Sequence, residues 1–194
     1  MFAKMNDGTL RSWGDNTNSC LGIDTSTTDR STPGTVALTG VVDVSTGGYS
    51  HSCAVLTDGT VKCVGYNYNG QLGNGTTTTS SSWGLVTGVT TAKSVVVGYN
   101  SSCALLADKT VTCWGGNDYG QLGNGTTTQS TTPVAVAGLT DVVEVRAAEG
   151  HTCALTTSGG AKCWGDNSRG QLGDGTTNSR PTAADVSGLT SGVM

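Results

Sequence analysis

The sequence repeats itself at intervals of about 50 residues, and this periodicity limits the possible folds more than any other feature. The string Gly-Gln-Leu-Gly occurs at Gly70–Gly73, Gly120–Gly123 and Gly170–Gly173, with 50 residues between successive copies. Trp114 and Trp164 have the same spacing, each within a Cys-Trp-Gly triplet. Such regular self-similarity predicts one small structural unit that is built several times and stacked on its neighbours.

The repeat extends over the whole chain. The segment from Cys53 to Gly65 aligns with the segments that begin at Cys103 and Cys153. A degenerate first copy begins at Phe2 and ends in Trp-Gly. The alignment predicts four units, at roughly residues 1–40, 41–93, 94–141 and 142–194.

Each unit has the pattern of short β-strands and contains no helical pattern. It opens on a run rich in β-branched residues, such as Ser94–Val97, and continues with a hairpin around a turn such as Asp58-Gly59. A short run such as Pro133–Val136 closes the unit. Glycine, a poor helix former, accounts for 30 of the 194 residues. Three or four strands repeated at this period are typical of a propeller blade, so the predicted fold is all-β, with four β-propeller blades.

The motifs of the unit resemble those of the regulator-of-chromosome-condensation family. They are Gly-x-x-His-x-Cys-Ala-Leu, Asp-Gly-Thr-Val-x-Cys-Trp-Gly-x-Asn and Gly-Gln-Leu-Gly-x-Gly, and the resemblance covers essentially residues 1–194. It implies a β-propeller, usually of seven blades. It also permits a role as a guanine-nucleotide exchange factor that presses one propeller face onto a GTPase. The cysteine-containing version is more similar to repeats of secreted or surface bacterial proteins than to the nuclear exchange factor.

The four units differ in number from the seven blades that the resemblance implies. Met1 aligns with Ser52, which lies inside a unit. An open ring leaves unpaired strand edges and bare blade faces, which favour association. We therefore expect either a fragment of a longer propeller or self-association through blade edges, for example two chains that close an eight-bladed ring.

The cysteines form pairs that straddle the predicted hairpins. Partners are ten residues apart, at Cys53/Cys63, Cys103/Cys113 and Cys153/Cys163. If the hairpin loop has three or five residues, the two cysteines of a pair face each other across antiparallel strands, within disulfide reach. The favoured interpretation is three structural disulfides. Buried free thiols and zinc sites are the alternatives, although zinc ligand pairs usually stand two to four residues apart.

The first unit lacks both cysteines of the pair. Phe2 and Ser12 occupy the two positions, and joint loss is what a covalent bond predicts. Cys20 is left over at the position of Gln71, and it is either a free thiol or an intermolecular link. Three disulfides imply an oxidising compartment, so we expect an exported protein in the extracellular space or at the cell surface.

The sequence contains no cluster that indicates catalysis, a metal or a cofactor. The Gly70–Gly73 string lacks the lysine of a phosphate-binding loop and recurs in each unit, so it is interpreted as a turn with positive φ. The two histidines, His51 and His151, hold one position in two units and are expected to be corner residues bonded to backbone. We therefore predict no catalytic residues, no metal ligands and no cofactor, and hence no enzyme.

The aromatic residues divide into two groups. Trp114 and Trp164 recur at the end of the hairpin and are expected to pack one blade on the next. Trp83 has no counterpart and follows a polar run, which makes it a candidate contact residue. Three tyrosines in the loops after the hairpins are expected to extend such a contact surface: Tyr66, Tyr68 and Tyr119.

Charge and hydropathy exclude several classes of partner. The formal net charge is −4, and only 10 Lys and Arg are spread along the chain, which argues against nucleic-acid binding. The sequence has no apolar run of the roughly 20 residues that a membrane span needs. The leading hypothesis is a non-catalytic, secreted or cell-surface binding or structural module that uses propeller loops for protein or glycan contacts. The alternative is an exchange-factor-like regulator of a small GTPase.

Overall fold

Four antiparallel sheets follow one another along the chain in this computed structural model, which describes residues 1–23, 27–48 and 51–193. The first sheet has the order β1-β2-β3, from strands Phe2–Lys4, Leu10–Gly14 and Arg30–Val36. The second has the order β4-β5-β6-β7, from Val41–Thr46, His51–Leu56, Val61–Gly65 and Ser80–Leu85. Each sheet is one blade of an incomplete β-propeller.

The other two blades repeat this arrangement. The third consists of β8 to β11, with bounds Ala92–Val97, Ser101–Leu106, Val111–Gly115 and Ser130–Ala135. The fourth consists of β12 to β15, with bounds Val142–Ala147, His151–Thr156, Ala161–Gly165 and Arg180–Asp185. Strand β8 begins at Ala92, two residues before the predicted unit boundary at 94. The helical part of the described chain is one turn of 3-10 helix at Thr17–Ser19.

The central hairpin of each blade closes through a three-residue loop. In the second blade the amide of Leu56 donates to the carbonyl of Thr60 at 2.9 Å, and Gly59 has a φ of +79°. The third blade has the same loop with Lys109 at the glycine position, at a φ of +65°. An odd loop length sets the register in which Cys53 faces Cys63 and Val55 faces Val61, as predicted.

Each of the three predicted disulfides is present in the structure. The Cα atoms lie 4.1 Å apart in Cys53–Cys63, 4.0 Å in Cys103–Cys113 and 4.1 Å in Cys153–Cys163. In the first blade the corresponding register pair is Phe2 and Ser12. The bonds join the two middle strands of their blades and stabilise each hairpin, mainly by limiting the unfolded chain.

The hydrophobic core lies between blades rather than inside one. One cluster joins Val55 and Val61 of the second blade with Val95 and Trp114 of the third. Similar clusters join the first blade to the second and the third blade to the fourth. A single blade would leave one face of this core in water, so stability comes from lateral stacking.

Candidate functional site

Each blade has two ends that are formed by different loops. The hairpin end carries the three-residue loops between the two middle strands. The corner end carries the corners before β5, β9 and β13 and the loops after β6, β10 and β14, since His51 pairs with Gly65. Corners of adjacent blades contact each other: the amide of Tyr99 donates to the carbonyl of Ala148 at 3.3 Å. The corner ends therefore form one continuous surface.

The four tyrosines within the described residues all lie at the corner end. The rings of Tyr66 and Tyr68 stack, with centroids 6.4 Å apart and planes at 18°. Tyr68 is 73% exposed, Tyr119 of the next blade 51% and Tyr99 39%. We refer to Tyr66, Tyr68, Tyr99 and Tyr119 as the tyrosine face.

Sequence reasoning identified three members of the tyrosine face and missed the fourth. Tyr99 lies in the corner before β9, not in the loop after a hairpin, where the other three are. The signal available in the sequence was the recurrence of tyrosine at this position of the repeat, because Tyr49 stands 50 residues before Tyr99.

The fourth blade has charged residues at three of these four aromatic positions and a serine at that of Tyr68. Asp166 stands at the position of Tyr66, Arg169 at that of Tyr119 and Glu149 at that of Tyr99. Asp166 accepts hydrogen bonds from the amide of Ser168 at 3.0 Å and from Gln171 at 2.7 Å. The Ser168 amide is the main cause that holds the pKa of Asp166 below its usual range. The aromatic part of the corner end is thus limited to the second and third blades.

Trp83 does not belong to this surface, and its expected place in an exposed loop was wrong, because it lies half-buried in strand β7. Its Nε1 donates to the carbonyl of Gly22 at 3.1 Å, and its ring meets that of Phe2 edge to face at 6.1 Å. The side chain is half-buried against the core cluster between the first and second blades. The polar run before it gave no sign of this partner, which lies 61 residues away.

Trp114 and Trp164 pack blade on blade, as predicted. Both are fully buried, and each indole Nε1 donates at 2.9 Å to a carbonyl of the preceding blade, Gln71 or Gln121. These carbonyls belong to the Gly-Gln-Leu-Gly turns, whose glycines have positive φ, for example +65° at Gly73. The turn that resembled a phosphate loop is therefore the socket for a tryptophan of the next blade.

A buried asparagine organises each of these turns, and sequence reasoning did not single it out. Asn117 is fully buried; its Nδ2 donates to the carbonyls of Thr126 and Thr128, at 3.0 and 2.9 Å. Its Oδ1 accepts from the amide of Leu122 at 2.9 Å. Asn67 and Asn167 make the same bonds in their blades. Recurrence at the 50-residue period was the signal that could have identified them.

His51 is buried at the junction of the second and third blades. Its Nε2 lies 2.9 Å from the hydroxyl of Ser102, so its partner is a side chain and not the backbone that was predicted. Burial lowers the pKa of His51 to about 3, which keeps the imidazole neutral. Its Nδ1 has no hydrogen-bond partner within the described residues.

Cys20 is the one thiol outside the disulfides. The side chain is buried, and its Sγ donates to the carbonyl of Asp15 at 3.3 Å. Burial is the first cause that raises the pKa of this thiol, and the Asp15 carboxylate adds to it. A buried protonated thiol is a poor nucleophile, and a bond from Cys20 to a second chain would need local opening.

Within residues 1–23, 27–48 and 51–193, no three or more His, Cys, Asp or Glu side chains are grouped so that they could hold a metal ion. In the same ranges the structure has no helix that is long and apolar enough to span a membrane.

Two family models match the chain, and both describe a regulator of chromosome condensation (RCC1) repeat. One matches residues 7–55 and 110–155, and the other matches 41–71, 92–121 and 142–171. Together they cover well over half of the chain. The chain belongs to the RCC1 repeat family. No curated protein matches this RCC1-repeat sequence.

Several solved structures have the same fold. Human WBSCR16 is 25% identical with a TM-score of 0.84; the match covers 96% of this chain and 50% of that one. Prp20p from Saccharomyces cerevisiae is 20% identical with a TM-score of 0.79, and the match covers 95% and 48%. Yeast RCC1 (Prp20) solved with Kap60 gives 21% identity and 0.79, with 95% and 47% covered. The chain spans about half the length of these structures.

Proposed function

We propose that this chain is a non-catalytic binding module that contacts a protein partner through the tyrosine face. The observation that carries the proposal is the gathering of Tyr66, Tyr68, Tyr99 and Tyr119 at one end of adjacent blades, with Tyr68 73% exposed. Tyrosine is enriched in protein interfaces and in their energetic centres, because it offers a large apolar ring together with a polar tip. Among the residues that the structure describes, no tyrosine lies at the opposite, hairpin end.

The loops that carry these rings are held in place by the fold. The amide of Tyr119 donates to the Oε1 of Gln121 at 3.0 Å, and Gln121 is itself buried. The amide of Tyr99 is bound to the neighbouring blade through Ala148. Binding residues on loops that a rigid scaffold positions lose little entropy when a partner arrives, which favours affinity.

The proposed setting is the extracellular space or the cell surface. Three disulfides support it, because such bonds persist in oxidising compartments and are rare in the cytosol and nucleus. Thiol titration of the denatured, unreduced protein from its native source is the test. One reactive thiol, that of Cys20, is the expected result, whereas seven thiols would contradict export.

Site-specific photocrosslinking in the producing cells tests the proposed face. A photoreactive phenylalanine analogue replaces Tyr68 or Tyr119, and the matched controls carry it at Val42 and Leu189. These controls are 41% and 44% exposed and lie at the hairpin end. We expect a discrete crosslinked protein from the tyrosine positions and none from the controls. Crosslinks of equal yield from both ends, or from the hairpin end alone, would refute the proposal that the partner binds through the tyrosine face.

Membership of the RCC1 repeat family supports a second candidate function. Prp20p is a protein of this fold whose binding to Gsp1p and histones has been examined. The alternative function is therefore stimulation of nucleotide release from a small GTPase. Release of a fluorescent guanine nucleotide from Gsp1p, measured with and without this chain, is the test. At least a tenfold acceleration would favour the alternative, and an unchanged rate would favour the non-catalytic binding module.

A further inference from the structure

The two ends of the blades differ in charge. All five lysines lie in the hairpin half of their blades: Lys4, Lys62, Lys93, Lys109 and Lys162. At the corner ends of the second and third blades, which carry the tyrosine face, the described residues include no lysine or arginine. The single charged residue that the structure describes there is the exposed Asp118, next to Tyr119. The tyrosine face therefore lacks positive charge of its own.

Two rings of the tyrosine face pack on the backbone of a neighbouring corner. A Cβ built on Gly48 would lie 2.7 Å from Cδ2 of Tyr99, and one built on Gly150 would lie 3.3 Å from Cδ2 of Tyr119. Both contacts cross from the third blade to an adjacent one. The rings are thus held on one side by the fold, while a large part of each side chain remains exposed to a partner.

A groove separates Tyr99 from the next corner of the array. It has a volume of about 330 Å³, and its apolar lining includes Val97 and Ala147. Tyr99 and Glu149 both line this groove, one from the corner of the third blade and the other from the corner of the fourth. An aromatic ring, an apolar surface and a carboxylate therefore meet in one place.

The carboxylate of Glu149 is available to a partner. The ion pairs within the described residues do not include Glu149 or its neighbour Asp166, whose Cβ would lie 3.2 Å from a Cβ on Gly150. Both acidic residues line a second cleft in which the one described basic side chain is that of Arg169. Negative charge is thus in excess at this corner.

The exposure of Glu149 is a property of its position in the repeat. Tyr99 holds the same position one blade earlier. It is 39% exposed although a further blade follows it in the chain. A residue at this position of a corner therefore faces water inside the array as well as in its last blade.

We propose that the tyrosine face binds a basic segment of its protein partner and takes an arginine side chain into the groove between Tyr99 and Glu149. This inference rests on the proposed function and names the chemistry of the partner. A guanidinium group is attracted to an aromatic ring, and it forms paired hydrogen bonds with a carboxylate. Its methylene groups pack on apolar surface such as Val97 and Ala147. Arginine is thus the side chain that fits all parts of the groove.

Peptide binding, measured by fluorescence anisotropy on the 194-residue chain, tests the chemistry of the groove. The probe is a labelled glycine-serine peptide that carries several arginines. Its matched control has citrulline, which is neutral and of nearly the same shape, at those positions. Glu149→Gln removes the carboxylate, Tyr99→Leu removes the ring, and Tyr99→Phe keeps the ring. Asp141→Asn removes an exposed carboxylate at the hairpin end, where asparagine tolerates the φ of +59°.

We expect the arginine peptide to bind at least tenfold more tightly than the citrulline peptide. Glu149→Gln and Tyr99→Leu should each weaken its binding at least fivefold, and Tyr99→Phe and Asp141→Asn should change it less than twofold. Added salt should weaken it as well, because exposed charges are screened. Circular dichroism confirms that each variant is folded. Equal affinity for the two peptides, or unchanged binding by folded Glu149→Gln, would overturn the proposal.

The photocrosslink at Tyr68 separates this inference from the proposed function. A chain with Glu149→Gln and the photoreactive residue at Tyr68 should give at least fivefold less of the crosslinked protein than a chain with Glu149 intact. An unchanged yield would keep the tyrosine face as a binding surface and overturn the basic partner alone. Absence of any crosslinked protein with Glu149 intact would instead refute the proposed function, on which this inference rests.

Discussion

Trp83 donates from its indole Nε1 to the carbonyl of Gly22, 3.1 Å away, and so joins the outer strand of the second blade to a turn of the first. In the other two described junctions a tryptophan of the second strand of the central hairpin donates to the same turn, at the carbonyl of the glutamine two residues before the corresponding glycine. The role of one residue position has thus moved to another strand, while the contact between blades has been kept.

A double-mutant cycle on Val64, which stands at the repeat position of Trp114, and Trp83 tests this exchange of roles. Trp83→Ala should lower the free energy of unfolding by about 3 kcal/mol, since it empties a half-buried site and leaves the Gly22 carbonyl without its indole donor. Val64→Trp alone should also lower the free energy of unfolding, because the Trp83 indole already occupies the socket. The double variant should recover at least half of the loss of Trp83→Ala, measured by urea unfolding. Simple addition of the two single effects would show that the positions do not share one socket.

Lys109 offers a stabilising substitution. It adopts a φ of +65° at the loop position where the other blades have Gly8, Gly59 and Gly159. A left-handed backbone is unfavourable for a residue with a Cβ, whereas glycine adopts it freely. Lys109→Gly should therefore raise the free energy of unfolding by about 0.5 to 1 kcal/mol. The reverse change, Gly59→Lys, should lower it, and a loss of stability in both variants would refute the argument.

Buried His51 predicts a specific acid sensitivity. Its pKa is about 3 in the folded chain against an ordinary 6.5, so the unfolded state binds a proton more readily. The stability it contributes is complete above about pH 6.5 and is lost as the pH falls towards 3, with a slope of up to about 1.4 kcal/mol per pH unit. His51→Ser, which introduces the residue of the third blade, should flatten the curve of unfolding free energy against pH in this range. His151→Ser is the matched control, and equal curves for the unmodified chain and His51→Ser would contradict the prediction.

Asn117 should be among the polar residues whose substitution destabilises the chain most. Asn117→Ala leaves the buried amide of Leu122 and the carbonyls of Thr126 and Thr128 without their side-chain partner. The expected loss is about 3 kcal/mol in the free energy of unfolding. Asn124→Ala, in the exposed part of the same loop, is the control and should cost about 1 kcal/mol or less. Equal losses in the two variants would show that burial does not decide the effect.

The regular parts of the fold could be predicted because they repeat. The ten-residue spacing of Cys53 and Cys63 and the requirement that they face each other predicted the register of the hairpin and limited its loop to three or five residues. Three copies of the same pattern strengthened each inference. The position of Trp114 between blades followed in the same way, since a recurring aromatic belongs to the repeated core.

The environments of Trp83 and His51 were not predicted correctly, because they depend on contacts between units that the repeat does not encode. Trp83 is unmatched in the other units, and its partner is a turn of the preceding blade, so its sequence neighbours suggested a loop. The partner of His51 is likewise on the next blade, at Ser102. Asn117 was missed for a different reason: asparagine is common in loops, so its recurrence with Asn67 and Asn167 was not interpreted as a sign of burial.

The acceptor for each indole between blades is a main-chain oxygen, at Gly22, Gln71 or Gln121. A carbonyl group is the same in every residue, so the receiving turn can change its side chains without losing the bond, provided that its glycine remains. Duplicated genes could therefore add, exchange or delete whole modules without a matching mutation in the neighbour. This independence explains how the array could diverge at its surface while its geometry stayed constant.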